Sequence, residues 1–105
     1  MNPAKIDVII PAFNEENSLD KVLQDIPAEL VREVIVCNNA STDQTPQVAT
    51  ANGATLVNQP IRGYGNACLK GMEHVANNPI SPDIVVFLDA DYSDYPEEMY
   101  EVVRP

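Results

Sequence analysis

The chain has little positive charge. Its 105 residues carry six Lys and Arg against sixteen Asp and Glu, for a formal net charge of -10 and a pI of about 4.2. The basic footprint that grips a phosphate backbone is absent, so nucleic acid is not an expected partner. No Lys/Arg cluster offers a landing site on an anionic membrane, and no apolar run approaches the length of a membrane span. The N-terminus lacks the basic segment and apolar core of a secretory leader, which makes a cytoplasmic location the expectation. Cysteine is scarce too. Cys37 and Cys68 fit neither a disulfide framework nor a metal-ligand spacing, and read as reduced, mostly buried thiols. The single histidine, His74, falls inside a helical pattern and reads as a surface or packing residue, so no Ser/His/Asp or Cys/His arrangement is supported. Asn39-Ala40-Ser41 matches a glycosylation sequon, accidental without a leader.

What is present is an ordinary globular composition, 45% hydrophobic and 21% charged, in a chain the size of one small domain. Apolar runs alternate with helical patterns. Strands are expected over residues 6–10, stopped by Pro11, then over 34–37, 54–57 and 84–88. Helices are expected over 18–26, where Leu19, Val22, Leu23 and Ile26 mark one face, over 45–52 and over 66–76. Thr45 reads as the N-cap of the second helix, with Pro46 in its first position and Gly53 as its stop. Pro96-Glu97-Glu98 opens a fourth helix. Regular strand-helix alternation implies a parallel sheet with right-handed crossovers, covered by helices on both faces. The chain stops at Pro105 without the closing elements of most doubly wound domains, so residues 1–105 are expected to be a single, partial domain.

In such a sheet the loops after the strands converge on one rim. After strand one stand Pro11-Ala12-Phe13-Asn14-Glu15-Glu16, and after strand two Asn38-Asn39-Ala40-Ser41-Thr42-Asp43. Gln59-Pro60-Ile61-Arg62-Gly63-Tyr64-Gly65 follows strand three, and Asp89-Ala90-Asp91-Tyr92-Ser93-Asp94 follows strand four. Asp89 and Asp91 directly follow a buried apolar run, where a carboxylate pair can hold Mg²⁺ or Mn²⁺ and, through it, a phosphate. Without a cation each carboxylate about 4 Å from a phosphate charge would repel it by roughly 4 kcal/mol at an effective dielectric of about 20. Arg62 and Gly63 precede a helix start, a natural phosphate partner and a point of close backbone approach. Asn39 carries donors and an acceptor suited to a base edge. Ser41 and Asp43 read as turn and helix-start residues, and Phe13 and Tyr64 are aromatics able to stack or to pack. The Gly-x-Gly-x-x-Cys at Gly63 follows the third strand, which argues against a dinucleotide fingerprint, and no P-loop is present.

Taken in order, these four loops resemble the donor-binding half of a family-2 glycosyltransferase with a GT-A fold. The resemblance covers essentially the whole chain and leans toward the branch that transfers sugars to polyprenyl or dolichol phosphate. It implies an α/β, Rossmann-like nucleotide-binding half with a mostly parallel sheet. It implies an inverting, metal-dependent transfer from a UDP- or GDP-linked sugar to an acceptor such as polyprenyl phosphate, at the cytoplasmic face of a membrane in a longer form. Pro11, Ala12, Phe13 and Glu15 would line the nucleotide pocket, with Glu15 near the base or ribose and Arg62, Gly63 and Ala90 beside them. Asp89 would approach ribose or metal, Asp91 would ligate the metal, and Ser93 would add a metal-side contact. Asn39 stands where the family usually has an aspartate that contacts the base. The acceptor-binding part and its aspartate base lie beyond this length in family members, so no catalytic residue is assigned and the chain alone is not expected to turn over. Apolar faces left open on a partial domain would favour self-association into homo-oligomers.

Other readings fit less well. A non-catalytic nucleotide- or metal-binding module shares the same site. A nucleotidyltransferase would want a glycine- and lysine/arginine-rich loop after strand one, and a receiver-like domain would want carboxylates there. The chain has Pro11-Ala12-Phe13-Asn14-Glu15 instead.

Overall fold

The computed structural model describes residues 4–91. Ser93 and the fourth helix expected from Pro96 lie outside the described residues. The remaining elements occur in the expected order: β1 (Ile6–Ala12), α1 (Leu19–Asp25), a 3-10 turn (Ala28–Leu30), β2 (Glu33–Asn38), α2 (Thr45–Ala51), β3 (Thr55–Asn58), α3 (Tyr64–Ala76) and β4 (Ile84–Phe87). The strands form one sheet in the order β3-β2-β1-β4, and every pairing is parallel.

Alternation along β1 assigns its side chains to two cores. Ile6, Val8, Ile10 and Ala12 face α1 and α2, where Leu19, Val22, Ile26 and Ala49 are buried against them. Ile9, with Ile35 and Cys37 of β2, faces α3 through Ala67 and Val75. Right-handed crossovers require this division: β1→β2→β3 runs one way across the sheet and β3→β4 runs back, so α3 must lie on the opposite face. At Gly71 the helix lies tight against the sheet. A Cβ there would lie 2.5 Å from Ile9 Cγ2 and 2.9 Å from Cys37 Sγ. Burial, and secondarily Cys68 nearby, pushes the Cys37 thiol up to about 12. Cys68 is half-buried, and both cysteines are free.

Pro11 does not stop the first strand. The carbonyls of Ile6 and Ala12 accept amides from the β2 side (Arg32 and Asn39), while those of Lys5 and Ile9 accept from the β4 side (Ile84 and Leu88). Alternation turns the Pro11 nitrogen toward β4, past the last β4 pairing at Ile9↔Phe87. The missing N–H falls where the next β1–β4 bond, to the Leu88 carbonyl, would form, so Pro11 ends that ladder while the β1–β2 ladder runs on to Ala12↔Asn38. Asp7 is the other surprise within β1. Its side chain is fully buried, and both oxygens pair with Arg32, at 3.0 Å to Nε and 2.7 Å to Nη2. Arg32 also donates to the Ile80 carbonyl at 2.7 Å, tying the loop before β4 to the edge of the sheet.

His74 packs at the surface as expected, with Nε2 3.1 Å from Glu33 Oε2. Leu69, Met72 and Phe87 are exposed apolar side chains. Among the described residues no helix is long and apolar enough to cross a membrane.

Candidate functional site

The reversal of strand order places a crevice between the carboxyl ends of β1 and β4, the position at which open α/β sheets bind ligands. The loop after β1 is fastened to the loop after β2. Asn14 adopts the left-handed conformation at φ 51; its amide donates to Ser41 Oγ at 3.0 Å, and its Oδ1 accepts from the Thr42 amide at 2.8 Å. The Glu15 amide donates to Thr45 Oγ1 at 2.9 Å, and Thr45 is fully buried. Thr45 is therefore not a cap at the helix boundary but the first residue of α2. The capping acceptor is Asp43, whose carboxylate takes the Thr45 amide at 2.9 Å and the Thr45 hydroxyl. Partial burial pushes the Asp43 carboxyl up, but hydrogen bonds from Thr45 and the Glu16 amide outweigh it and leave the group below its ordinary value.

The loop after β3 hangs on Asn39. Its Nδ2 donates to the carbonyls of Gln59 (3.0 Å) and Ile61 (2.8 Å), and its Oδ1 accepts the Gly63 amide at 2.8 Å. Gly63 sits at φ 137, a conformation that favours glycine. Between those anchors Arg62 lays its guanidinium over Phe13, 3.5 Å from the ring centroid. The turn after β4 is held from α1. Ser18 stands at the N-cap of α1 but makes no capping bond there; its hydroxyl lies 2.6 Å from the Ala90 carbonyl and 3.1 Å from the Glu15 carboxylate. One hydroxyl proton serves one acceptor well, and the shorter contact is to Ala90.

The result is a cleft of about 360 Å³, within the range of small-ligand sites. Pro11, Ala12, Phe13 and Glu15 line it from β1; Asn39 comes from β2, Arg62 and Gly63 from the β3 loop, and Asp89, Ala90 and Asp91 from β4. Every residue expected from the sequence to hold nucleotide is thus placed at one cleft, as are Asp89 and Asp91 of the expected metal set. Tyr64 and Ala67 complete the wall. Ser18 and Thr45 escaped the sequence reading, since each looks like an ordinary helix-start residue until its distant partner is known.

The cleft sets Glu15, Asp89 and Asp91 against Arg62, so it is acidic on balance. Among the described residues no three His, Cys, Asp or Glu side chains form a metal cage. Two carboxylates on one cleft suit a hard divalent cation, which completes its shell with water and phosphate oxygens.

The Glycosyl transferase family 2 profile matches residues 7–105. The chain belongs to glycosyl transferase family 2. An uncharacterised glycosyltransferase of Mycobacterium tuberculosis is 44% identical over 88 residues, covering 84% of this chain and 37% of the relative. The 4,4'-diaponeurosporenoate glycosyltransferase of Staphylococcus aureus is 38% identical over 97 residues, covering 86% of this chain and 24% of that protein. Among solved structures, glucosyl-3-phosphoglycerate synthase from M. tuberculosis in complex with UDP superposes with a TM-score of 0.71 at 36% identity, over 84% of this chain and 34% of that one. The same synthase was also solved with Mn²⁺, UDP and glucosyl-3-phosphoglycerate. The family-2 chain described here therefore spans well under half the length of these relatives, and its fold is the α/β, Rossmann-like fold of GT-A glycosyltransferases.

Proposed function

We propose that this chain is the donor-binding half of an inverting family-2 transferase, one that takes a nucleotide-diphospho-sugar in the cleft at the ends of β1 and β4. The observation that carries this reading is the convergence of Phe13, Glu15, Arg62, Asp89 and Asp91 from separate loops on one cleft. Phe13 and Tyr64 offer faces to a base or sugar ring. Glu15 is an acceptor for a ribose hydroxyl, and Arg62 is a cation for the diphosphate. Asp89 and Asp91 would hold Mg²⁺ or Mn²⁺, which, when bound, supplies neutralising charge to the diphosphate leaving group. The UDP and Mn²⁺ of the M. tuberculosis synthase complexes support that assignment.

An anionic acceptor, polyprenyl phosphate by the lean of the third and fourth loops, would need little deprotonation. The same synthase was solved in complex with phosphoglyceric acid, an acidic small molecule. The test is calorimetric titration of the chain with UDP and with GDP, each with and without Mn²⁺. Metal-dependent binding of a nucleoside diphosphate is the expected result. A folded sample that binds neither would overturn the reading, and efficient sugar transfer by this chain alone would overturn its restriction to the donor half.

A further inference from the structure

We propose that Ser18 is a positioning residue for the metal-side carboxylates: its hydroxyl tethers the Ala90–Asp91 peptide group to the start of α1. This rests on the donor-site reading above and gives a task to a residue outside the cleft lining. The ladder between β1 and β4 closes with the Leu88 amide on the Ile9 carbonyl at 3.1 Å, and Pro11 has no N–H to extend it. Asp89, Ala90 and Asp91 lie past the end of that ladder. Ser18 supplies an anchor from the other side. Its Oγ lies 2.6 Å from the Ala90 carbonyl, across 72 residues of sequence, and Ala90 is buried. That carbonyl belongs to the peptide group joining Ala90 to Asp91. Fixing it sets the direction in which Asp91 leaves the backbone relative to Asp89. The anchor is itself held by the helix start. The Ser18 amide lies 3.2 Å from the Glu15 carbonyl, and the Ser18 carbonyl accepts the Lys21 and Val22 amides. The next residue, Leu19, is fully buried. Ser18 is an N-cap residue whose side chain makes no capping bond, so its hydroxyl is directed across the fold rather than at its own helix.

The hydroxyl has one proton and two acceptors in reach, and the two assignments have different consequences. Glu15 Oε2 lies at 3.1 Å. A proton given there would brace the carboxylate set beside the ribose, and its loss would weaken nucleotide binding with or without metal. A proton given to Ala90, the shorter contact, braces the turn that carries Asp89 and Asp91. Its loss would act on metal binding alone, because Mg²⁺ demands near-ideal geometry and tolerates little play in its carboxylates.

The experiment is calorimetric UDP affinity of wild type, Ser18→Ala and Ser18→Thr, each in EDTA and with Mg²⁺. Ser18→Ala leaves a buried carbonyl without its donor. It is expected to cut the gain in affinity that Mg²⁺ confers by about tenfold, with the affinity in EDTA unchanged. Ser18→Thr keeps the hydroxyl and is expected to restore the gain. An equal loss in EDTA and in Mg²⁺, or an undiminished gain in Ser18→Ala, would overturn the proposal. A second readout needs no ligand. In the free chain the Ala90 carbonyl carbon is expected to shift upfield in Ser18→Ala, as a carbonyl does on losing a hydrogen bond, and to keep its wild-type position in Ser18→Thr. A resonance that Ser18→Ala leaves in place would overturn the tether whatever the chain binds. Wild-type chain that binds no UDP in either condition, while that resonance moves as expected, would instead sink the donor-site reading and leave the tether as architecture.

Discussion

Two clefts of the same size, about 360 Å³ each, lie at opposite ends of the sheet. One is formed where β2 and β3 begin, lined by Leu23, Ile26, Val31 and Val34 with Arg32, Asn52 and Thr55. The other lies where β1 and β4 end. Volume does not separate them; the sets of charged groups gathered at them do. At the first, the arginine is consumed by a structural pair, because Arg32 holds the buried Asp7 and the Ile80 carbonyl. At the second, the arginine lies on an aromatic face in a cleft also lined by carboxylates from two other loops. The lesson is that a site is recognised by charged groups that the fold gathers from separate loops onto one cleft. Substitutions at the first end should cost stability, and those at the second should cost binding.

The largest expected effect is at the structural end. Arg32→Met strands the Asp7 carboxylate in the sheet and is expected to lower Tm by about 10 °C or more, because an unpaired buried charge is strongly destabilising. Nucleotide affinity measured well below that Tm should be unchanged. Next comes Asp91→Asn, expected to weaken metal-dependent UDP binding by about a hundredfold while Tm falls by much less than in Arg32→Met. A fall in Tm matching that of Arg32→Met would erase the distinction between the two ends.

Smaller effects sharpen it. Ala40 adopts φ 62 in the loop after β2, a conformation that costs a residue with a Cβ about 1 kcal/mol. Ala40→Gly should therefore raise or hold the denaturant midpoint of the chain, where an alanine-to-glycine change in a helix would lower it. The smallest effect is a pH dependence at the functional end. Asp43 has its folded pKa depressed, so its hydrogen bonds stabilise the chain above the unfolded carboxyl pKa, and that contribution is lost as pH falls through the lower folded value. Wild-type chain should lose more stability than Asp43→Asn between pH 5 and 3 in a denaturant series, by an amount kept small by exposure to solvent.

Much of this was legible in the sequence, for identifiable reasons. Element order and the parallel sheet follow from apolar period and helix punctuation, which are local properties. The cleft was legible because parallel topology brings all post-strand loops to one rim, so residues far apart in the chain could be placed together without knowing any distance. What escaped was side-chain partnership across the fold. Ser18 looks like a cap and instead holds Ala90; Thr45 looks like a cap and instead receives Glu15. Asn39 looks like a base reader and is also bonded to three backbone groups. Asp7 sits inside an apolar run, and its partner Arg32 is 25 residues away. Pro11 looked like a strand end because local rules do not say which neighbour its nitrogen faces.

The most direct test of the account is paramagnetic broadening by Mn²⁺ in the amide spectrum of the chain, with UDP present. Because Mn²⁺ broadens nearby resonances, the account predicts loss of signals from Phe13, Glu15, Gly63 and Ala90 at substoichiometric metal, with those of Val31, Val34, Gly53 and Thr55 at the other cleft remaining sharp. Broadening centred on the second group, or spread evenly over the acidic surface, would contradict the placement of a metal-dependent donor site at the carboxyl ends of β1 and β4.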